Sequence, residues 1–191
     1  IKVIAPAKIN LFLDILGKLD NGFHSLFMVM QSVDLYDEIT VSKGECGISL
    51  ICSDARLPRD KGNIAYKAAK EFFEATGIEP NAVISIEKNI PVEAGLAGGS
   101  ADAAAVIVGL NELYGTGLSK QKMCDIGLKV GSDVPFCIKG GTCVAQNTGE
   151  VLSRVKHLKD CFIVLAKPEK GVSTAAAFAA ADKAYIYHPD N

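Results

Sequence analysis

Apolar and polar residues alternate over much of the first half of the chain, the period-two pattern of strands with one buried face. Leu11, Leu13 and Ile15 alternate with Phe12, Asp14 and Leu16. Val33, Leu35, Ile39 and Val41 keep the period around a polar Asp37–Glu38 pair that predicts a break, and Ile48, Leu50 and Cys52 continue it. The period then changes. Ile64, Ala68 and Phe72 recur at helical spacing between an Asn63 N-cap and a Gly77 stop. Ala82, Ile84 and Ile86 read as a strand with one polar face. The longest helix is predicted from about Ser100 to Tyr114, apolar at 103, 106, 107, 110 and 113. Another runs from a Ser119 cap through Met123, Ile126 and Val130 to Gly131. Residues 142–147 predict a strand, Cys161–Ala166 a compact buried one, and Ser173 or Thr174 caps an Ala-rich helix to about Lys183. Strands and helices mix without strict βαβ alternation, so the expected class is α+β. No internal repeat or low-complexity linker occurs, and the polar stretch Ser153–Asp160 marks a domain boundary near 155–160.

Composition narrows the function classes. The 191 residues are 49% hydrophobic and 22% charged, with a net charge of −2, which is ordinary globular composition. No dense basic block tracks a phosphate backbone, so nucleic acid is not an expected partner. The longest apolar runs are as short as Phe162–Ala166, so no membrane span is expected. The first residues lack the apolar core and cleavage site of a signal peptide, and no initiator Met is present. Six cysteines include no Cys-x-x-Cys pair and sit mostly among apolar neighbours, which predicts reduced, buried thiols in a cytoplasmic protein. With three histidines, at 24, 157 and 188, a His-rich metal centre is excluded.

Chemistry concentrates in one stretch, Ile90-Pro-Val-Glu-Ala-Gly-Leu-Ala-Gly-Gly-Ser-Ala-Asp-Ala-Ala-Ala105. It joins a strand end to a long helix through Gly95, Gly98 and Gly99. Missing Cβ atoms let backbone N–H groups approach an anion, and the helix N-terminus adds its partial positive charge. The plainer alternative is a tight turn with Ser100 as an ordinary N-cap. No Gly-Lys-Ser/Thr follows, so this is not a Walker A loop, and the spacing does not fit a dinucleotide fingerprint.

Three segments together resemble the GHMP small-molecule kinases: Pro6-Ala-Lys-Ile-Asn-Leu11, Pro91 through Ala105, and Gly131-Ser-Asp-Val-Pro135. Asp20-Asn-Gly-Phe-His-Ser-Leu26 and Gly171-Val-Ser-Thr174 resemble one branch of them, whose members phosphorylate the 2-hydroxyl of a cytidine-diphosphate-linked methylerythritol in non-mevalonate isoprenoid biosynthesis. The likeness extends over essentially the whole chain. It implies a GHMP kinase N-terminal domain over 1–157 and the start of a smaller ferredoxin-like domain over 158–191, with the chain stopping early in that domain and lacking a further glycine-rich motif.

The resemblance also implies ATP and Mg2+ as reaction partners and assigns roles. Asp133 matches the catalytic base and Lys8 the catalytic lysine. Read alone, Asp133 is as well explained as a helix cap and Lys8 as solvated surface. Pro91, Val92, Glu93, Ala94, Gly95, Leu96, Ala97, Gly98, Gly99, Ser100 and Ala101 fall on the ATP loop, with Ser100 a candidate magnesium or phosphate contact. Ala97 and Ala101 stand where relatives often carry Gly and Ser. Asn63 and Lys88 fall where relatives contact adenine, and Asn10 and His24 match substrate positions. Phe23 stands where Tyr is common and keeps the ring that can stack on cytosine, and Thr174 is a further substrate candidate. Core packing for Phe23 and a surface position for His24 are their plainer readings. The alternatives to this branch are another GHMP kinase, of mevalonate or homoserine type, and a non-catalytic nucleotide-binding module of the same fold.

Overall fold

The computed structural model describes residues 1–158, 161–168, 171 and 173–184, the last stretch without the side chains of Thr174 and Ala175. Its elements run β1 (Lys2–Lys18), β2 (His24–Lys43), β3 (Gly47–Cys52), α1 (Ile64–Thr76), β4 (Asn81–Glu87), α2 (Gly98–Leu113), α3 (Lys120–Val130), α4 (Val134–Lys139), β5 (Thr142–Asn147), β6 (Val151–Arg154) and α5 (Thr174–Ala184). The α+β class expected from the pattern is observed.

Strand β2 organises the sheet. Antiparallel β1 lies along one edge, from Lys2↔Thr40 to Lys18↔His24. Strand β5 pairs with residues 26–31 and β4 with 38–43 on the other side, leaving 32–37 between them without a strand partner there. Strand β3 is parallel to β4 through the α1 crossover, and β6 closes the far edge on β5. Buried Ile39, Val41, Ile84 and Ile86 pack against Val106, Ile107 and Leu110 of α2 and Phe72 of α1. A smaller cluster of Met28, Met30, Phe136, Cys143 and Ala145 seats α4 on the β2–β5 end. Apolar alternation and helical spacing specify this core because each buries one face of its element.

The caps behave as expected at α1 and α3. Asn63 Oδ1 accepts the Ala65 N–H, Gly77 closes α1 in the left-handed region, and Ser119 Oγ accepts from Lys122. Ser173 Oγ accepts the Ala176 N–H at α5. Helix α2 begins earlier than expected, at Gly98, with Ala97 in the left-handed cap position (φ 55°), so Ser100 is not its N-cap.

Other expectations need correction. Asp37 does not break the strand: it is fully buried inside an unbroken β2. Helix α4 and strand β6 are additional elements, both too short for a periodic signal. Residues 161–166 form no strand, and Phe162 and Val164 are fully exposed rather than buried. A strand needs a neighbour's N–H and C=O groups, and none of the described strands lies beside this segment. All six cysteines are free, but Cys46 and Cys161 are exposed. Among the described residues no helix is long and apolar enough to cross a membrane.

Candidate active site

A cleft of about 1030 Å³ opens where the β1–β2 pair, the loop before α2 and α5 converge. That size accommodates two small-molecule reactants side by side. Lys8, Asn10, Phe23, His24, Asn63, Lys88, residues 91–100 and Asp133 all line it.

Lys8 is the centre of the chemistry. Register shifts on either side, at Pro6/Lys8 and Asn10/Phe12, interrupt the β1–β2 ladder, the kind of irregularity that re-aims side chains. Lys8 is 6% exposed. Its Nζ donates to Asn10 Oδ1 at 3.3 Å and lies 3.8 Å from Asp133 Oδ2. Its backbone N–H donates to the Leu96 carbonyl at 3.1 Å, which pins the glycine loop to β1. Asp133 occupies the N-cap position of α4 but makes no capping hydrogen bond, so its carboxylate, about one-third exposed, remains directed at the cleft chemistry. The helix-cap explanation of Asp133 therefore fails on geometry.

The loop places backbone donors opposite this pair. The α2 ladder begins with the Ala101 N–H on the Ala97 carbonyl, which leaves the N–H groups of Gly98, Gly99 and Ser100 ahead of it without a side-chain cap. Uncapped N–H groups at a helix start attract an anion. Ser100 Oγ lies 4.0 Å from where a Cβ on Gly131 would stand, so the hydroxyl faces the turn that carries Asp133. Glu93 (φ 55°) and Ala97 (φ 55°) hold left-handed backbone beside Gly95 (φ 72°), a sharp contour that side-chain-bearing residues adopt at a cost. Glu93, which the sequence leaves without a role, abuts the backbone at Gly171.

Some sequence assignments change. Ala101 lies in the core, 2% exposed, with its N–H already used in the helix, so it cannot contact a ligand. Gly98 leaves room below the loop rather than above it: a Cβ there would meet Ile90 Cγ2 at 3.0 Å and Lys88 Nζ at 3.3 Å. The Lys88 ammonium is held by Asp37 and by Asp102 (2.8 Å), and Asn63 caps α1 while its Nδ2 donates to the Pro58 carbonyl. Both line the cleft with their polar ends engaged. The Thr174 side chain lies outside the described residues. Among those described, no three His, Cys, Asp or Glu side chains cluster to hold a metal. Ser100 places a hydroxyl in the cleft at the uncapped start of α2.

At the other end of the cleft the structure adds residues that the sequence did not single out. The His24 ring stacks on Phe178 of α5 (4.7 Å between centroids, 12°), and its Nε2 lies 2.6 Å from Asp182 Oδ1. Lys18 Nζ donates to the other Asp182 oxygen at 2.7 Å. Phe178 is the one aromatic within the Ala-rich helix, and Asp182 follows it by one turn. Phe23, 64% exposed, lines the same end.

Comparison with known proteins agrees with this layout. A family model described as the GHMP kinases N terminal domain matches residues 63–141. The 4-diphosphocytidyl-2-C-methyl-D-erythritol kinase of Clostridium beijerinckii is 47% identical over 189 residues, covering 98% of this chain and 68% of that protein. Its counterpart in Acetivibrio thermocellus is 50% identical over 175 residues, covering 92% and 62%. A crystal structure of 4-(cytidine 5'-diphospho)-2C-methyl-D-erythritol kinase superposes with a TM-score of 0.69 at 33% identity, over 81% of this chain and 55% of that one. The mevalonate kinase of Methanococcus jannaschii, at 17% identity and TM-score 0.65, shares the fold. This chain thus spans about two thirds of the length of the curated relatives it matches. With near-complete coverage of its own length at this identity, the chain belongs to the 4-diphosphocytidyl-2-C-methyl-D-erythritol kinase family of GHMP kinases.

Proposed function

We propose that this chain carries the nucleotide cradle and the catalytic pair of an ATP-dependent kinase that phosphorylates the 2-hydroxyl of 4-diphosphocytidyl-2-C-methyl-D-erythritol. The observation that carries the reading is the Lys8–Asn10–Asp133 group facing the uncapped start of α2 across one cleft. Phosphoryl transfer asks little covalent chemistry of a protein and much positioning and charge stabilisation.

Each step falls to a named residue. Asn10 and Lys8 orient the acceptor hydroxyl, and Asp133 takes its proton as the oxygen–phosphorus bond forms. The bond from the γ-phosphorus to the bridging oxygen breaks, and ADP leaves. Lys8 offsets the negative charge that develops on the moving phosphoryl group. The N–H groups of Gly98, Gly99 and Ser100 bind the triphosphate, and Ser100 would hold Mg2+ bound with it, which would supply neutralisation of phosphate charge. Phe23 and His24 receive the cytosine ring, with Phe178 and Asp182 completing that end. The residues from 158 onward begin a second, ferredoxin-like domain, and the unpaired thiols suit a cytoplasmic setting.

ADP release by the whole encoded protein tests this reading. ADP formation should depend on the cytidine-linked alcohol, and His24→Ala should raise KM for that alcohol at least about tenfold while leaving KM for ATP unchanged. ATP turnover indifferent to the alcohol would overturn the reading.

A further inference from the structure

Beneath the glycine loop lies a buried charge cluster that the reaction as described does not use. Lys88, directly after β4, places its ammonium between Asp37 in the middle of β2 and Asp102 in the first turn of α2. The lysine side chain and both carboxylates are all but removed from solvent. The two acids are not equivalent. Asp37 Oδ1 also accepts the N–H groups of Asn89 (2.5 Å) and Ile90 (2.8 Å). Asp102 receives Lys88 on Oδ2, and its Oδ1 is buried with no hydrogen-bond partner among the described residues.

Position gives the cluster its significance. Residues 88–90 are the stem by which the chain enters the loop, and Asp102 lies just past the point where it leaves as α2. One ammonium therefore ties both stems together and to the central strand. Gly98 lies over the bridge, and a Cβ there would crowd Lys88 Nζ at 3.3 Å. Buried ion clusters are expensive relative to apolar packing, so this one calls for a purpose beyond stability.

We propose that Asp37, Lys88 and Asp102 form a clasp that fixes the spacing of the loop stems for a nucleoside triphosphate, with Asp102 a positioning residue acting through Lys88. The proposal rests on reading the loop as the triphosphate cradle. Burial opposes the Lys88 charge, but Asp102 and Asp37 more than offset this and hold its pKa above the usual lysine value.

The test is steady-state kinetics of the whole encoded protein, as parent, Asp102→Ala and Asp102→Asn, with thermal melting of each. Asp102→Ala should raise KM for ATP about tenfold and leave KM for the acceptor alcohol unchanged. Asp102→Asn keeps an acceptor for Lys88 and should restore most of that loss. An unchanged KM for ATP in folded Asp102→Ala would overturn the clasp, as would an Asp102→Asn no better than Asp102→Ala. If Asp102→Ala does not fold, Asp102→Ser, too short to reach Lys88, decides by the same KM split. A parent that ATP cannot saturate overturns the cradle reading and the clasp with it, whereas a saturable parent with indifferent variants overturns the clasp only.

Discussion

Asp133 and Lys8 stand 3.8 Å apart, side by side without a tight ion pair between them. An open geometry of this kind leaves a carboxylate oxygen free for a substrate proton. Asp133→Asn removes the proton acceptor while preserving shape and the missing cap. It should retain ATP binding and lower kcat by about 10²–10⁴-fold, measured by nucleotide titration and turnover on the same preparation. Near-normal turnover in the folded variant would remove Asp133 from the chemistry. The sequence singled out both residues through their motifs, 125 positions apart, and the structure brings them together in one cleft. Asp37 and Asp102 were not legible in this way. An aspartate between alternating apolar residues reads as a turn, and burial with a lysine 51 positions away has no local signature. Phe178 and Asp182 were hidden for the same reason, since only α5 docking brings them to His24.

Among the elements, α4 shows how a short helix is aimed. Its six residues carry a proline in the first turn and little periodicity, so it escaped the sequence pattern that exposed α1, α2 and α3. Gly127 of α3 sets its place: a Cβ there would come within 2.6 Å of Val134 Cγ1 and 3.2 Å of Ile138 Cδ1. Gly127→Ala must push α4 outward, and Asp133 moves with it. The expected outcome is a loss of about 1–3 kcal/mol in denaturant unfolding, with kcat reduced more than KM for ATP. Equal stability and turnover would show that α4 tolerates the displacement. The strand read as broken at Asp37 and the strand expected at 161–166 failed for complementary reasons. In the first, a buried partner permits a charge inside a sheet; in the second, a continuous apolar run without a neighbouring strand makes no ladder.

At the scale of the molecule, two ends of one cleft divide the work. On the proposed reading the α2 start and Asp133 take the phosphates, and the His24–Phe178–Asp182 group, elsewhere in the cleft lining, takes what the acceptor carries beyond its hydroxyl. On the same reading, acceptors of the mevalonate, homoserine or galactose type carry no base to fill that end and forfeit the contacts a base would make there. A nearly neutral net charge of −2 adds no long-range pull on anionic substrates, so selectivity rests on these contacts. The most direct measurement is a phosphorylation screen of the whole encoded protein with ATP over four acceptors: the cytidine-linked methylerythritol, mevalonate, homoserine and galactose. The account predicts product with the cytidine-linked alcohol alone. Turnover of mevalonate with none of the cytidine compound would contradict it.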